Sequence, residues 1–273
     1  MQICTFFIKI STFCRQPLIL GQRSGSMVSE AQWFTDWFNS PYYHKLYFER
    51  DEQEAAAFIQ RLLDKLQPPP GSRMLDIACG KGRHSRMLAA AGYDVTGIDL
   101  AADSIAYARQ FESSHLQFLQ HDMRLPFYIN YFNYAFNFFT SFGYFRTERE
   151  HYSALRTMVQ SLKPGGTLVI DYLNVHYAED HLVHRSEKQI GDVNFVITKW
   201  FDEHHFYKKI RIEDEMNSEP LEFMEQVAKF SMGDFNEMLS YHGMQLQEVL
   251  GDYQLGSYDI QRSPRMILLA LKK

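Results

Sequence analysis

The sequence predicts an α/β fold with a doubly wound, mostly parallel sheet. Two observations carry this prediction. A short apolar strand that includes Met74 turns through a loop of small residues into a helix over residues 83–91. A second strand over residues 94–98 follows directly and ends at an acidic residue, Asp99. Strands that alternate with helices in this way are typical of a parallel sheet covered by helices on both faces.

The loop after the first strand predicts a nucleoside-binding site. Gly80 and Gly82 allow a ligand to approach the backbone, and the turn leaves free N–H groups at the start of the helix. Asp99 lies 19 residues beyond Gly80, where a doubly wound fold places a carboxylate that accepts hydrogen bonds from a ribose. A nicotinamide dinucleotide would favour a third glycine at the position that Ser85 occupies. The loop therefore argues against that cofactor.

The same loop resembles the acid-x-G-x-G-x-G loop of class I S-adenosylmethionine (SAM) methyltransferases, with Asp76 as the acid and Ala78 in place of the first glycine. Residues 118–124 are similar to the segment whose acid, here Asp122, those enzymes use against the adenine amino group. The resemblance is strongest over residues 40–175. It implies a Rossmann-like enzyme with SAM as its cofactor and with a seven-stranded sheet whose last strand is antiparallel. The cofactor-binding residues that it implies are Tyr43, Tyr47, Asp76, Ala78, Gly80, Gly82, Arg83, Asp99, Leu100, Asp122, Met123 and Asn137.

Residues 43–55, 121–124 and 139–144 narrow the resemblance to small-molecule N-methyltransferases that act on amino sugars, and less closely to glycine-type enzymes. The resemblance implies that an N-terminal segment with Tyr43 and Tyr47 covers the cofactor; the alternative is that these tyrosines are half-buried structural anchors.

Tyr144 and His176 are the candidate catalytic residues. They follow the fourth and fifth strands, and the strand ends of an open α/β sheet are where ligands bind. An amine must be neutral to attack a methyl group, so a nearby side chain can accept its proton. The alternatives are that Tyr144 only packs and that His176 is a surface loop residue.

Residues 176–230 depart from a minimal fold of this kind. Their alternating apolar pattern predicts three extended segments, which are 194–201, 206–213 and 222–230. We expect a small antiparallel sheet, inserted before the last helix and strands of residues 231–273, that forms a cap over the acceptor or a homodimer contact. His204 and His205 have no second pair at ligand spacing, so no metal is predicted.

Residues 1–26 differ in charge from the rest of the chain. They contain three basic residues and no acid, which leaves a net charge of −8 on residues 27–273 against −5 for the whole chain. We predict a disordered extension outside the fold, with Met27 as the start of a cofactor-binding core and helical lid over residues 27–175. The three cysteines form no paired framework, which predicts a reduced, cytoplasmic protein. No apolar run is long enough for a membrane span.

The resemblance and the chemistry together predict a SAM-dependent methyltransferase that modifies a small-molecule acceptor at an amine nitrogen. The alternatives are an RNA or protein methyltransferase and a SAM-binding module without catalysis. The acidic balance of residues 27–273 lacks the basic stripe that tracks phosphates, so nucleic acid is disfavoured. The predicted fourth strand also ends without the Asn/Asp-Pro-Pro-aromatic run of adenine amino-methylases. The intact glycines and acids disfavour a module without activity.

Overall fold

The computed structural model describes residues 33–47, 52–217 and 219–273, and the predicted extension 1–26 lies outside them. The helices in this part of the chain are α1 (Trp33–Phe38), α2 (Pro41–Tyr47), α3 (Glu52–Leu66), α4 (Arg83–Ala90), α5 (Ala102–Ala108), α6 (Glu148–Ser161), α7 (Val175–Asp180) and α8 (Met232–Tyr241). The strands are β1 (Arg73–Ile77), β2 (Asp94–Asp99), β3 (Leu116–Gln120), β4 (Phe132–Asn137), β5 (Leu162–Leu173), β6 (Arg185–Ile190), β7 (Val193–Phe201), β8 (His205–Asp214), β9 (Leu221–Ala228), β10 (Met244–Leu250) and β11 (Arg265–Lys272).

Seven strands form one sheet in the order β10-β11-β5-β4-β1-β2-β3. β11 is antiparallel to both of its neighbours, whereas β1 to β5 pair in parallel. The predicted doubly wound sheet with an antiparallel last strand is therefore confirmed. The chain runs outward from β1 to β3 and then returns to β4 on the other side of β1. This reversal creates the crevice in which open α/β sheets bind ligands.

The central strands are buried on both faces, which explains their nearly continuous apolar sequences. Successive side chains of a strand point to opposite faces. Leu75 of β1 accordingly packs in the cluster that includes the inner face of α6, and its neighbour Met74 packs in the cluster that includes Phe58 and Leu62 of α3. Each of these four side chains is at most 1% exposed. The two clusters fix β1, and with it the loop that follows.

Residues 185–228 contain a second sheet, which is antiparallel and has the order β6-β7-β8-β9. The sequence predicts β7, β8 and β9 but misses β6. The reason is that β6 is an edge strand in which five of six residues are polar, so it has no apolar alternation to detect. The predicted insertion is confirmed as an antiparallel sheet, with one strand more than expected.

The N-terminal helices share a hydrophobic core with this second sheet. Trp37 of α1 and Leu46 of α2 are buried against Phe195 and Ile210. Tyr42 adds a polar tie, because its hydroxyl donates to the Asp214 carboxylate over 2.7 Å. Helices α1 and α2 and the second sheet therefore form one packed unit, which we call the cap. None of the described helices combines the length and apolar character that a membrane span requires.

Candidate active site

A cavity of about 970 Å³, counting the solvent space at its mouth, opens beside the carboxyl ends of β1, β2 and β4. This volume lies within the ~300–1,000 Å³ that is usual for small-molecule sites. The seven-stranded sheet and its loops contribute one side, which we call the sheet side and which includes Ala78, Gly80, Ile98, Asp99, Leu100, His121, Asp122 and Met123. The other group, the cap side, includes Phe38, Tyr43, Tyr47 and Glu225 of the cap, together with Tyr144, which follows β4 and contacts Phe38.

The loop between β1 and α4 has a left-handed backbone at three positions. The φ angles of Ala78, Gly80 and Gly82 are +59°, +56° and +77°. A Cβ at Gly82 would lie 2.4 Å from the Phe118 ring, so both packing and backbone require glycine there. A Cβ at Gly80 would have no heavy atom within 4 Å. The loop therefore leaves open space against its backbone at Gly80.

Ala78 is expected to store strain, because a left-handed conformation costs a residue with a Cβ ~1–2 kcal/mol. We expect Ala78→Gly to raise the free energy of unfolding by about 1 kcal/mol, measured by urea denaturation. Ala90→Gly, at an exposed position of α4, is the matched control and is expected to lower it by about 1 kcal/mol. If Ala78→Gly destabilises the protein as Ala90→Gly does, Ala78 is not strained.

Asp99 joins this loop to the end of β2. One carboxylate oxygen, Oδ2, accepts a hydrogen bond from the Gly80 N–H over 2.8 Å. The other, Oδ1, accepts one from the Ala101 N–H over 2.8 Å. Burial raises the pKa of Asp99 above its ordinary value, although both backbone bonds act in the opposite direction. The carboxylate thus fixes the loop and lines the cavity at the same time.

Asp122 is held by a bidentate pair with Arg124. The Arg124 Nη2 donates to Asp122 Oδ2 over 2.6 Å and its Nε lies 3.1 Å from both oxygens. Arg124 also pairs with Glu150 over 2.6 Å, and Glu150 closes the capping box that starts α6. Partial burial disfavours the charged form of Asp122, but the bonds from Arg124 outweigh it and hold its pKa below the usual range. Asp122 therefore meets the cavity as a fixed carboxylate.

The end of β4 is the most strained segment of the cavity wall. Phe139 and Thr140 have φ angles of +57° and +58°, which non-glycine residues rarely adopt in succession. Asp171 of β5 holds both, because its Oδ2 accepts from the Phe139 N–H and its backbone oxygen accepts from the Thr140 N–H. Arg265 of β11 donates to Asp171 over 2.7 Å and to the Thr140 hydroxyl over 2.9 Å. Strain of this kind tends to concentrate at functional sites.

The cap side combines aromatic rings with a buried acid. Phe38 and Tyr144 meet edge to face with ring centroids 5.4 Å apart. Glu225 of β9 is only 7% exposed, and its Oε1 accepts hydrogen bonds from Trp37 Nε1 over 2.7 Å and from the Tyr47 hydroxyl over 3.0 Å. The sequence does not mark Glu225 as a site residue. It could have been noticed because it falls between Phe223 and Val227 on the face of β9 that points inward, where an apolar residue is expected.

A family model described as a methyltransferase domain matches residues 74–166. The Bacillus subtilis (strain 168) protein YqeM, which is named as a methyltransferase, is 27% identical over 197 residues, and these are 68% of this chain and 78% of YqeM. A dTDP-3-amino-3,4,6-trideoxy-alpha-D-glucopyranose N,N-dimethyltransferase from Streptomyces venezuelae is 30% identical over 111 residues. That match covers 40% of this chain and about half, 46%, of the relative.

A solved structure with a similar fold is SAM-bound CalS10, an amino pentose methyltransferase from Micromonospora echinaspora. Its TM-score is 0.62 at 19% sequence identity, over 85% of this chain and 97% of CalS10. The chain is a class I SAM-dependent methyltransferase. The predicted family, enzyme class and cofactor are confirmed.

The sheet side of the methyltransferase cavity fits SAM. SAM presents ribose hydroxyls and an adenine amino group as hydrogen-bond donors, and Asp99 and Asp122 are acceptors in the cavity wall. Leu100 and Met123 add apolar side chains to the same wall, where an adenine ring would pack. The open space against Gly80 admits a ligand to the loop.

Most of the predicted site residues line this cavity. They are Tyr43, Tyr47, Ala78, Gly80, Asp99, Leu100, Asp122, Met123 and Tyr144. Five others do not line it, namely Asp76, Gly82, Arg83, Asn137 and His176. The Asn137 side chain is buried beneath the loop and donates to the Ile77 carbonyl over 3.0 Å. His176 lies in α7, where its N–H donates to the capping side chain of Asn174. A catalytic role for His176 stays a prediction.

Several lining residues were not predicted as site residues. Besides Glu225 they include Phe38, Ala101, Ser104, His121, Phe139 and Phe145. His121 and Phe139 lie within the segments 121–124 and 139–144 that carry the resemblance, so their position in sequence is a usable signal. Ser104 faces the cavity from the first turn of α5, and no local pattern indicates this.

Asp76 is buried behind the loop and accepts a hydrogen bond from the Ser85 hydroxyl over 2.5 Å. Burial raises its pKa from 3.8 to about 6. The folded protein therefore keeps a proton that the unfolded chain releases at lower pH. The stability that Asp76 contributes is fully present below the unfolded pKa of 3.8. It is lost as the pH rises through the folded pKa of about 6, and at higher pH Asp76 causes no further change in stability.

We expect Asp76→Asn to remove this penalty, since asparagine is neutral and still accepts from Ser85. The stability gained by the variant over the wild type is expected to be ~2 kcal/mol larger at pH 7.5 than at pH 4.5. Denaturant titrations at both values measure this difference. Asp94→Asn is the control, because Asp94 is half-exposed and its 3.9 Å contact with Arg73 is too long to stabilise the fold much; this variant is expected to change stability by less than ~0.5 kcal/mol. A difference that is equal for both variants would contradict the assignment.

Proposed function

We propose that this methyltransferase transfers the methyl group of SAM to an amine nitrogen of a small molecule, and that the acceptor is an amino sugar. The observation that carries the proposal is the composition of the cavity. A sheet side suited to SAM faces a cap side of aromatic residues with one buried carboxylate, Glu225. Such a cap side suits a compact polar ligand with a cationic or N–H group. The names of the relative from Streptomyces venezuelae and of CalS10 support an amino sugar as the class.

Six of the predicted cofactor residues have a role in this proposal. Asp99 accepts hydrogen bonds from the ribose hydroxyls, and Asp122 accepts one from the adenine amino group. Ala78 and Gly80 offer their backbone to the amino-acid part of SAM. Tyr43 and Tyr47, from the cap, close the cofactor off from water.

SAM supplies a methyl group bonded to a positively charged sulfur. The lone pair of an amine attacks the methyl carbon in line with the carbon–sulfur bond, and the sulfur is the leaving group. The protein has to orient the acceptor and exclude bulk water. Tyr144 follows the strained residues Phe139 and Thr140 at the carboxyl end of β4 and lines the cavity. It is therefore placed to orient the acceptor. The transferred methyl leaves sulfur uncharged and nitrogen positively charged, and the cap side provides π-electron surface for that charge.

Methyl tracing tests the proposal. The full chain is incubated with methyl-labelled SAM and either dTDP-3-amino-3,4,6-trideoxyglucose or a cell extract, and the products are separated by size. The expected result is label in a small molecule other than SAM, separated from SAM by chromatography, and the Asp99→Ala variant is the blank. Label that stays with RNA or protein, removed by nuclease or protease, would overturn the proposed acceptor class.

The predicted homodimer through the insertion stays a proposal. Phe201, Leu221 and Met224 are apolar side chains of the second sheet that are between 37% and 43% exposed. Sedimentation velocity of the full chain, compared with Met224→Lys, measures whether copies associate through this sheet.

A further inference from the structure

Glu225 is a buried acid with no counterpart among the predicted site residues. It lies on β9, directly opposite Lys208 of β8 in the register of the second sheet. Its side chain is 9% exposed and nonetheless contributes to the cavity wall. Burying a carboxylate is costly unless partners compensate it, so its contacts indicate what it can still bind.

The contacts of Glu225 converge on one oxygen. Trp37 Nε1 and the Tyr47 hydroxyl donate to Oε1, and Lys208 Nζ lies 3.6 Å from the same atom. Lys208 also contacts the Tyr47 hydroxyl and lies over the Tyr47 ring, 4.6 Å from its centroid. Tyr47 and Lys208 therefore orient the carboxylate from the Oε1 side. Among the described residues, no hydrogen bond to the second oxygen, Oε2, accompanies these contacts.

We propose that Glu225 binds the acceptor amine through Oε2 and makes the site selective for amines over alcohols. This inference rests on the proposed function, because it assigns the amine-binding group of that same cavity. An ammonium offers Oε2 a cationic N–H donor, whereas an alcohol offers only a neutral O–H donor. The ammonium therefore adds the attraction between two opposite charges to its hydrogen bond, and a neutral alcohol lacks this attraction.

The proton balance of the reaction follows from this placement. A bound ammonium has no lone pair, so it first transfers one proton to Glu225. The neutral nitrogen then forms a bond to the methyl carbon while the carbon–sulfur bond breaks, and the electron pair of that bond stays on sulfur. The products are a methylated ammonium and uncharged S-adenosylhomocysteine. Glu225 returns to the carboxylate when it releases its proton to solvent.

A purely structural role for Glu225 makes different predictions. The bonds to Trp37 and Tyr47 tie helices α1 and α2 to the second sheet, and losing them would loosen the cap for every ligand alike. Glu225→Gln preserves the shape and the Oε1 acceptor of these two bonds but removes the charge. Its effect on an amine relative to an alcohol therefore separates amine binding from cap stability.

The experiment is calorimetric titration of the full chain saturated with S-adenosylhomocysteine. The probes are dTDP-3-amino-3,4,6-trideoxyglucose and the same nucleotide sugar with a hydroxyl in place of the amine. We expect the wild type to bind the amine about 10-fold to 100-fold more tightly than the alcohol. Glu225→Gln is expected to lose this preference and to keep its affinity for S-adenosylhomocysteine.

Glu222→Gln is the matched control, because Glu222 is an exposed acid of the same strand that pairs with Lys209 over 2.9 Å. It is expected to keep the full preference. Glu225→Asp is a second variant, for use if Glu225→Gln does not fold. It retains the charge and is expected to keep part of the preference for the amine. A wild type without preference for the amine, or a folded Glu225→Gln that retains it, overturns the inference. Loss of S-adenosylhomocysteine binding in the wild type would instead overturn the proposed function.

Discussion

Replacing Asp99 by alanine is expected to weaken SAM binding at least ~100-fold. The carboxylate holds the Gly80 and Ala101 N–H groups, each over 2.8 Å, and in our proposal it also accepts the ribose hydroxyls. The variant therefore loses direct bonds to the cofactor and the loop geometry together. Isothermal titration with SAM measures the affinity, and circular dichroism verifies that the fold is intact.

Asp94→Ala is the matched control for this result, because Asp94 stands at the other end of the same strand and makes only a long contact with Arg73. Its SAM affinity is expected to equal that of the wild type. A folded Asp99→Ala protein with unchanged affinity would show that the ribose is not bound at this edge of the sheet.

Replacing Arg265 by alanine is expected to destabilise the protein by ~3–5 kcal/mol, because it leaves a buried carboxylate without its cation. Asp171 is 0% exposed, and its oxygens accept bonds from Arg265, the Tyr253 hydroxyl and the Phe139 N–H. For a domain of this size the melting temperature is expected to fall by about 6–20 °C, measured by scanning calorimetry. The left-handed turn at Thr140 also loses its bond to Arg265.

Arg262→Ala is the control for the Arg265 variant, since Arg262 is an exposed arginine three residues earlier in the chain. Its effect on stability is expected to stay within ~0.5 kcal/mol. The double variant Asp171→Asn with Arg265→Met is expected to recover part of the loss, because it removes both charges. A change below ~1 kcal/mol for Arg265→Ala would mean that solvent already screens the pair.

The cofactor loop shows how far a local pattern can lead. Gly80 and Gly82 are required by backbone angles that neighbouring residues set, and Asp99 follows at a spacing that one helix and one strand determine. Both features depend on short stretches of chain, so the sequence suffices to predict them. The resemblance places a glycine where this chain has Ala78, and Ala78 does adopt a positive φ angle.

Longer-range features of the site were not predictable in this way. Asp171 and Arg265 are 94 positions apart, and only the antiparallel pairing of β11 with β5 brings them together. Glu225 meets Trp37 across 188 positions. Neither pair forms a motif, because the partners are joined by packing and not by a turn or a helix.

The sequence by itself determined the doubly wound sheet, its antiparallel last strand, the cofactor and most residues of the sheet side. The alternation of strands and helices follows from hydrophobic periodicity and short loops. The antiparallel last strand, the cofactor and the sheet-side residues are what the resemblance to class I methyltransferases implies. Only the tertiary structure decided that helices α1 and α2 pack on the second sheet and that Glu225 faces the cavity. The register of β9 against β8 fixes that position, and a shift of one residue would turn Glu225 to the opposite face of the sheet.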